Sequence, residues 1–301
     1  MSLPTREIDE IVQLHVREHA RLQEVFVEGA EDKRFYETFL AEHGLASVAV
    51  LEVGTVFVPD GEIVRIGLAL GKKGRVITLA ALLSGRVARN EVVCIADADL
   101  DHFKEVRYPY PLLILTDYSS VELYVFCPPV MRRVLHVGLK GFPKNAEQVI
   151  KELSDLLQES FLVRVAADAL RLAPDYPDDH SSFCAFDKHK AVASFRAREY
   201  ISKAFERYTD RSWCLRLENM IRKKREQLKS DARMQIHGHD LARTFAWYIR
   251  QHKGYGHLNP KTLADLFLGF VDSGTLAQEP LFRELLLRLN PAVQRTGAGE
   301  Q

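Results

Sequence analysis

Short apolar runs that end on acidic residues constrain this chain more than any other feature. Val25-Phe26-Val27 is followed at once by Glu28-Gly29. Val92-Val93-Cys94-Ile95-Ala96, the most β-like run, is followed by Asp97-Ala98-Asp99-Leu100-Asp101. A third run, 112–115, leads into Thr116-Asp117. Between the runs, 32–40 and 76–83 carry apolar residues at helical spacing. Strands alternating with helices over 22–127 predict a mainly parallel α/β sheet flanked by helices. Ligands of such sheets bind outside the carboxyl ends of the strands. Here three of those ends carry acids.

Other segments fill in the plan. An amphipathic helix is expected over 6–21 and a second strand over 47–53. The runs 56–58 and 63–66 flank Pro59-Asp60-Gly61 and read as a hairpin. Gly71 to Gly74 reads as a basic turn. Ser119-Ser120 reads as the cap of a helix carrying Glu122. After Pro128-Pro129 the pattern becomes helical throughout, over 145–158, 160–171, 187–206, 212–230, 238–252, 260–271 and 278–289. The expected organisation is an N-terminal helix (1–21), an α/β domain (22–130), an all-helical region (131–295) and a flexible tail (296–301).

Lys and Arg number 41, as do Asp and Glu. No net field therefore draws the chain to nucleic acid or anionic lipid, and any such binding must use local patches. The four cysteines form no C-x-x-C pair, which excludes zinc-ribbon spacing. Cys94, Cys127 and Cys214 stand in apolar surroundings and read as buried thiols of a reducing compartment. No signal pattern and no apolar run of about 20 residues is present, so a cytoplasmic protein without a membrane span is expected.

Carboxylates at strand ends commonly hold a hard cation. Mg²⁺ takes oxygen ligands and keeps several waters, so a few carboxylates suffice. The D-x-D follows a buried strand directly, and alternate side chains of an extended chain point the same way, so Asp97 and Asp99 are expected to face one ion. Glu28, on another strand, shares that ion or acts as acid or base. Asp32 and Glu122 are the candidates for a second ion, with Asp101 and Asp117 as further acids nearby. An EF-hand is excluded, because His102 and Tyr108 stand where that loop needs Gly and Glu. Leu100 stands where the haloacid-dehalogenase pattern needs Thr or Val.

Two of these blocks carry a family resemblance. Val25-Phe26-Val27-Glu28-Gly29-Ala30-Glu31-Asp32 resembles the first Toprim motif, an apolar strand followed by E-G-x-x-D. Cys94-Ile95-Ala96-Asp97-Ala98-Asp99 resembles its D-x-D motif. Thr116-Asp117-Tyr118-Ser119-Ser120-Val121-Glu122 and His237-Gly238-His239-Asp240-Leu241 resemble two stretches of the DUF4435 group. That group is similar to the overcoming-lysogenization-defect nucleases and includes the nuclease subunit of the PARIS antiphage system. The resemblance implies a Toprim fold and a nuclease that uses one or two Mg²⁺ or Mn²⁺ ions on DNA or structured RNA. It implies Glu28 as general acid or base and Asp97 and Asp99 as metal ligands, with Asp32 and Glu122 in support. It further implies a partner ATPase of the ABC type and leaves a homodimer open. A lysine of the family's site has Lys72 and Lys73 as candidates by position. His239 is singled out by the resemblance alone.

The remaining features have plainer readings beside the functional ones. Gly71-Lys72-Lys73-Gly74-Arg75 lacks the ending of a Walker loop, and is either a solvated turn or a loop touching substrate. Arg222-Lys223-Lys224-Arg225 is the strongest basic run, and is either a solvated helix face or a phosphate-contacting surface. His237, His239, His252 and His257 lack zinc-site spacing and read as structural. Tyr108-Pro109-Tyr110-Pro111 reads as a stiff connector, with base stacking as the alternative. Two other functions stay open: a Toprim topoisomerase or primase, and a non-catalytic regulatory or sensor subunit of an ATPase complex.

Overall fold

A computed structural model describes residues 5–17, 22–210, 212–252, 255 and 259–290. His257, the tail at 296–301 and the stretch 18–21 of the first expected helix lie outside the described residues. The chain forms two compact units. The first comprises Met1–Ala98, Val106–Asp117 and Asp272–Gln301; the second comprises Asp99–Glu105 and Tyr118–Val271.

The first unit is the α/β part. Its strands are β1 (Glu24–Val27), β2 (Ala49–Glu52), β3 (Val92–Ala96) and β4 (Leu113–Leu115). They form one parallel sheet in the order β2-β1-β3-β4. Strands β1 and β3 are interior, and every residue in both is buried. That is why they read as continuous rather than alternating apolar runs. This unit's helices before and between its strands are α1 (Ile8–Arg17), α2 (Ala30–Glu42), α3 (Asp60–Arg65) and α4 (Lys72–Leu83). One core gathers Ile11, Phe26, Val76, Leu79, Leu83 and Cys94. Another aromatic group joins Phe35, Tyr36 and Phe39 of α2 to Phe282 of the helix Pro280–Leu289, at centroid distances of 5.9, 5.8 and 4.6 Å. Gln23 Nε2 also donates to the Leu289 carbonyl at 3.0 Å. The last helix thus belongs to the sheet unit.

Two local expectations fail in this unit. Residues 60–65 are helix and not half of a hairpin. The Pro59 carbonyl accepts from the N–H groups of Glu62 and Ile63, and Ile63 is fully buried. Pro-Asp-Gly serves as a helix start as readily as a turn. Helix α4 begins at Lys72 rather than Val76, so both lysines sit on its first turn. Gly74 is required there, since a Cβ would lie 2.3 Å from the Ala69 carbonyl oxygen. Tyr108 and Tyr110 pack against the core, which fits the connector reading.

The second unit is mostly helical but not wholly so. Cys184–Asp187 (β5) and Val192–Phe195 (β6) form an antiparallel hairpin where the periodicity predicts a helix over 187–206. Asp187 Oδ1 accepts the N–H groups of His189 and Lys190, and Ala191 takes a left-handed conformation. This side-chain-to-backbone turn outcompetes helix. Only Ala197–Ala204 of the expected stretch is helical. The stretches expected at 145–158 and 160–171 form one 24-residue helix, Ala146–Ala169. Helices Trp213–Arg225, Gly238–Arg250 and Pro260–Phe270 follow. Glu122 lies in a 3₁₀ turn, Val121–Val125, rather than in a helix. All four cysteines are unbridged; Cys94 and Cys184 are buried, whereas Cys127 and Cys214 are half-buried. No helix among the described residues is long and apolar enough to cross a membrane.

Candidate functional site

The carboxyl ends of β1, β3 and β4 bring acids together in the first unit. Glu28 follows β1 and Asp97 follows β3, its neighbour in the sheet. The Asp97 backbone N–H donates to Glu28 Oε1 at 2.9 Å. An acid 69 residues earlier in sequence is thereby fixed on the end of a fully buried neighbouring strand. Thr116, just past β4, ties the third strand end in: its Oγ1 accepts the Ala98 N–H at 2.9 Å.

Both lysines reach the same place from the start of α4. Lys73 Nζ donates to the Ala98 carbonyl at 3.0 Å. Lys72 Nζ lies 3.2 Å from where a Cβ on Gly29 would stand, beside Glu28. The basic turn is therefore a helix start with two ammonium groups at the acidic strand ends.

Asp32 and Asp117 have structural duties. Asp32 Oδ2 accepts the Gly29 N–H at 3.0 Å, at the start of α2. Asp117 Oδ2 accepts the Leu281 N–H at 3.0 Å, capping the helix Pro280–Leu289. Carboxylates at helix starts satisfy orphan amides and the dipole together.

Tyr36 is the residue that sequence reasoning missed. It sits in α2, 1% exposed, and its hydroxyl is buried with no hydrogen-bond partner. Burial first, then the charges of Asp32, Asp97, Asp117 and Glu28, push its phenol well above the ordinary tyrosine value. The charges of the same four acids therefore act on one protonated phenol. In sequence Tyr36 passes for one more apolar position in the 35-36-39-40 pattern, and nothing local marks it.

The second half of the D-x-D departs from the extended reading. Strand β3 ends at Ala96, and Asp99 takes a left-handed conformation with φ 47°. Alternation along a strand thus does not govern how Asp97 and Asp99 are oriented. Asp99 belongs to the second unit, where its N–H donates to the Ser119 carbonyl at 2.6 Å. Asp101 is buried there at the start of the short helix Asp101–Lys104.

The other two motif blocks meet inside that second unit. A Cβ on Gly238 would lie 1.8 Å from Ser120 Oγ and 2.8 Å from Glu122 Oε2. Only glycine allows this approach. Ser120 Oγ, Glu122 Oε2 and His237 Nδ1 are all buried without hydrogen-bond partners. Burial holds the His237 ring down at about 4, with Arg164 adding to the effect and Asp240 and Asp99 opposing it. Asp240 is 5% exposed and accepts Arg164 Nη2 with both oxygens at 3.1 Å. Leu241 is core. In the G-H-D-L stretch, therefore, only His239 is exposed; its ring centroid lies 5.3 Å from that of His237.

The basic run divides by contact. Arg225 pairs with Glu159, with Nη2 2.7 Å from Oε2. Lys224 lies over the Phe103 ring at 5.5 Å. Arg222 and Lys223 are exposed. His252 packs among Phe142, Phe186 and Tyr248, as a structural histidine does.

The donor set at the strand ends is carboxylate oxygen, the ligand type of Mg²⁺ and Mn²⁺. Among the described residues no three His, Cys, Asp or Glu side chains are gathered as a ready metal cage. The arrangement suits a cation held by one or two carboxylates and its own waters, as Mg²⁺ is commonly held. No protein-family model matches the chain, and no curated protein matches it.

Proposed function

We propose that the chain is a divalent-metal-dependent nuclease of the Toprim type, and that Glu28 and Asp97 are the heart of its site. The observation that supports this reading is the hydrogen bond from the Asp97 backbone to Glu28 Oε1, at the carboxyl ends of two adjacent parallel strands. Ligand chemistry in α/β sheets belongs at that edge. The resemblance to the E-G-x-x-D and D-x-D motifs supports the family reading, and the position of Glu28 and Asp97 at strand ends supports where its chemistry would lie.

Asp97 would hold the cation. Asp99, Asp32 and Glu122 are the further ligands that the resemblance implies. When bound there, Mg²⁺ or Mn²⁺ supplies charge stabilisation for an in-line displacement at phosphorus. Glu28 takes a proton from the attacking water or returns one to the leaving oxygen. Its orientation is fixed by the Asp97 N–H, so no rotamer search precedes the step. Lys72 and Lys73 offset phosphate charge, one beside Glu28 and one on the Ala98 carbonyl. Arg222 and Lys223, the pair of the basic run that is exposed and has no described acid partner, would meet a nucleic-acid backbone. An ABC-type ATPase would hold the activity in check, as the antiphage resemblance implies.

The test is cleavage of plasmid DNA and of total tRNA in Mn²⁺ by wild type and Glu28→Gln. The substitution keeps the acceptor for the Asp97 N–H and removes the proton-transfer group. Loss of about 100-fold or more is expected from removing a general acid or base. Equal cleavage by Glu28→Gln would end the assignment. Thermal unfolding in millimolar Mg²⁺ or Mn²⁺ is the companion measurement. A bound cation raises the midpoint by mass action, and Asp97→Asn removes the rise. No rise in wild type would favour the non-catalytic subunit instead.

A further inference from the structure

The second unit holds a cleft of about 320 Å³, lined by Asp178, Asp179, His180, Trp247, Arg250 and Gln251 among others. None of these residues belongs to the strand-end site, so a role for the cleft does not depend on the nuclease reading.

His180 makes the cleft more than a hollow. It is 6% exposed, and its Nδ1 lies 2.9 Å from Thr244 Oγ1. Its Nε2 is buried and has no hydrogen-bond partner. Burial holds the ring at about 4 against the groups that face it, with Asp240, Asp178 and Asp179 favouring charge and Arg243 opposing it. The imidazole is therefore neutral near pH 7. With one nitrogen committed to Thr244, Nε2 has a single hydrogen bond to offer. A buried nitrogen left without one costs free energy until something meets it.

The charges around it are uneven. Arg243 is neutralised by Asp178. Arg250 is exposed, and its Nε donates to the Ala246 carbonyl at 2.9 Å. Among the described residues no carboxylate lies within ion-pair distance of it. Trp247, 6% exposed, adds an aromatic wall. Asp179 Oδ1 accepts the N–H and hydroxyl of Ser181, which fixes that carboxylate on the cleft.

We propose that this cleft binds a nucleoside monophosphate, with the phosphate on Arg250 and the base edge on His180 Nε2 beside Trp247. The volume is at the small end of ligand sites and suits one nucleotide, not a polymer. A guanidinium that no acid among the described residues neutralises favours a phosphate, through charge-assisted hydrogen bonds. A neutral ring nitrogen beside an indole favours a flat heterocycle. The carboxylate of Asp179 accepts from ribose hydroxyls. The nucleotide is either a free metabolite or the 5′-phosphorylated end of a strand, which presents the same groups.

The experiment is calorimetric titration in EDTA, which silences any metal-dependent cleavage. AMP, CMP, GMP, UMP and a 5′-phosphorylated tetranucleotide are the probes, and inorganic phosphate and an N-acetyl amino acid are the controls. At least one monophosphate is expected to saturate with Kd below about 1 mM. Arg250→Gln, at an exposed position, is expected to weaken it about tenfold or more. His180→Gln is expected to weaken it as well, while leaving binding of inorganic phosphate unchanged. Tetranucleotide binding as tight as the monomer's identifies a strand end, and weaker binding identifies a free nucleotide; either supports the assignment. No saturation by any nucleotide would overturn it. So would an affinity untouched by Arg250→Gln in a variant with the wild-type unfolding midpoint, or tighter binding of the acylated amino acid than of every nucleotide.

Discussion

Two polar regions of this molecule solve the burial problem in opposite ways. At the strand ends of the first unit, the carboxylates are met by backbone amides: Glu28 by Asp97, Asp32 by Gly29, Asp117 by Leu281. Around Gly238 in the second unit, Ser120 Oγ, Glu122 Oε2 and His237 Nδ1 are buried with nothing to meet them. Backbone amides hold a carboxylate in one place. Unmet groups lower stability and need a tight, single-shape environment to persist. The first arrangement suits a preformed site. The second marks where this fold is most easily broken.

Acid is the strongest way to break it. The rings of His180 and His237 are both held at about 4 when folded, from an ordinary 6.5. A group that binds its proton more tightly when unfolded favours unfolding once protons are abundant. The contribution is therefore full above pH 6.5 and is lost as pH falls toward 4. Each ring accounts for at most on the order of 3 kcal/mol. In the first unit, burial raises the Glu24 carboxyl while bonds from His15 and Arg6 lower it further, leaving it below its ordinary 4.5. Its stabilisation is lost only as pH falls below that value. Urea unfolding from pH 7.5 to 4.5 should thus weaken the second unit first. A His180→Gln/His237→Gln double variant should flatten most of that slope. An unchanged slope would mean that other groups carry it.

Gly238→Ala comes next in size. The added methyl would stand 1.8 Å from Ser120 Oγ and 3.0 Å from Ser120 Cβ. Overpacking of this kind costs about 1–3 kcal/mol. Ser120→Gly on the same background removes the two Ser120 atoms, leaving Glu122 Oε2 at 2.8 Å, and should recover a large part of the loss. Without that recovery in chemical denaturation, the contact is not what demands glycine.

The contrast also explains what could be read in the sequence. Interior parallel strands are apolar on both faces, so 25–27 and 92–96 announce themselves, and the acids that end them follow directly. Glu28 and Asp97 were legible as strand-end acids for that reason, whereas Lys72 and Lys73 were candidates by position alone. The strand Cys184–Asp187 was not, because its turn is set by Asp187 bonding to backbone two and three residues on, which helical spacing does not reveal. The left-handed Asp99 follows from no pattern of apolar residues. The return of 280–289 to the first unit rests on Phe282 meeting an aromatic trio some 240 residues earlier, a contact between distant segments that leaves no periodic signal. Gly238 looked like part of a motif, while its reason lay in Ser120, more than a hundred positions away.

Tyr36→Phe gives the smallest effect and the sharpest test of the first region. The hydroxyl lies buried, without a hydrogen-bond partner, amid the charges of Asp32, Asp97, Asp117 and Glu28. Taken alone, removing an unmet hydroxyl should leave stability unchanged or raise it by about 1 kcal/mol. If the four acids gather a cation, the phenol stands beside a metal-filled site and its protonated O–H becomes a donor to carboxylate. In that case Tyr36→Phe remains neutral without metal but loses part of the rise in unfolding midpoint that Mg²⁺ or Mn²⁺ gives wild type. The two outcomes separate a tyrosine that only fills space from one that orders the acids. A variant with the wild-type response in both conditions would assign Tyr36 to the core and leave Glu28 and Asp97 to organise the strand ends unaided.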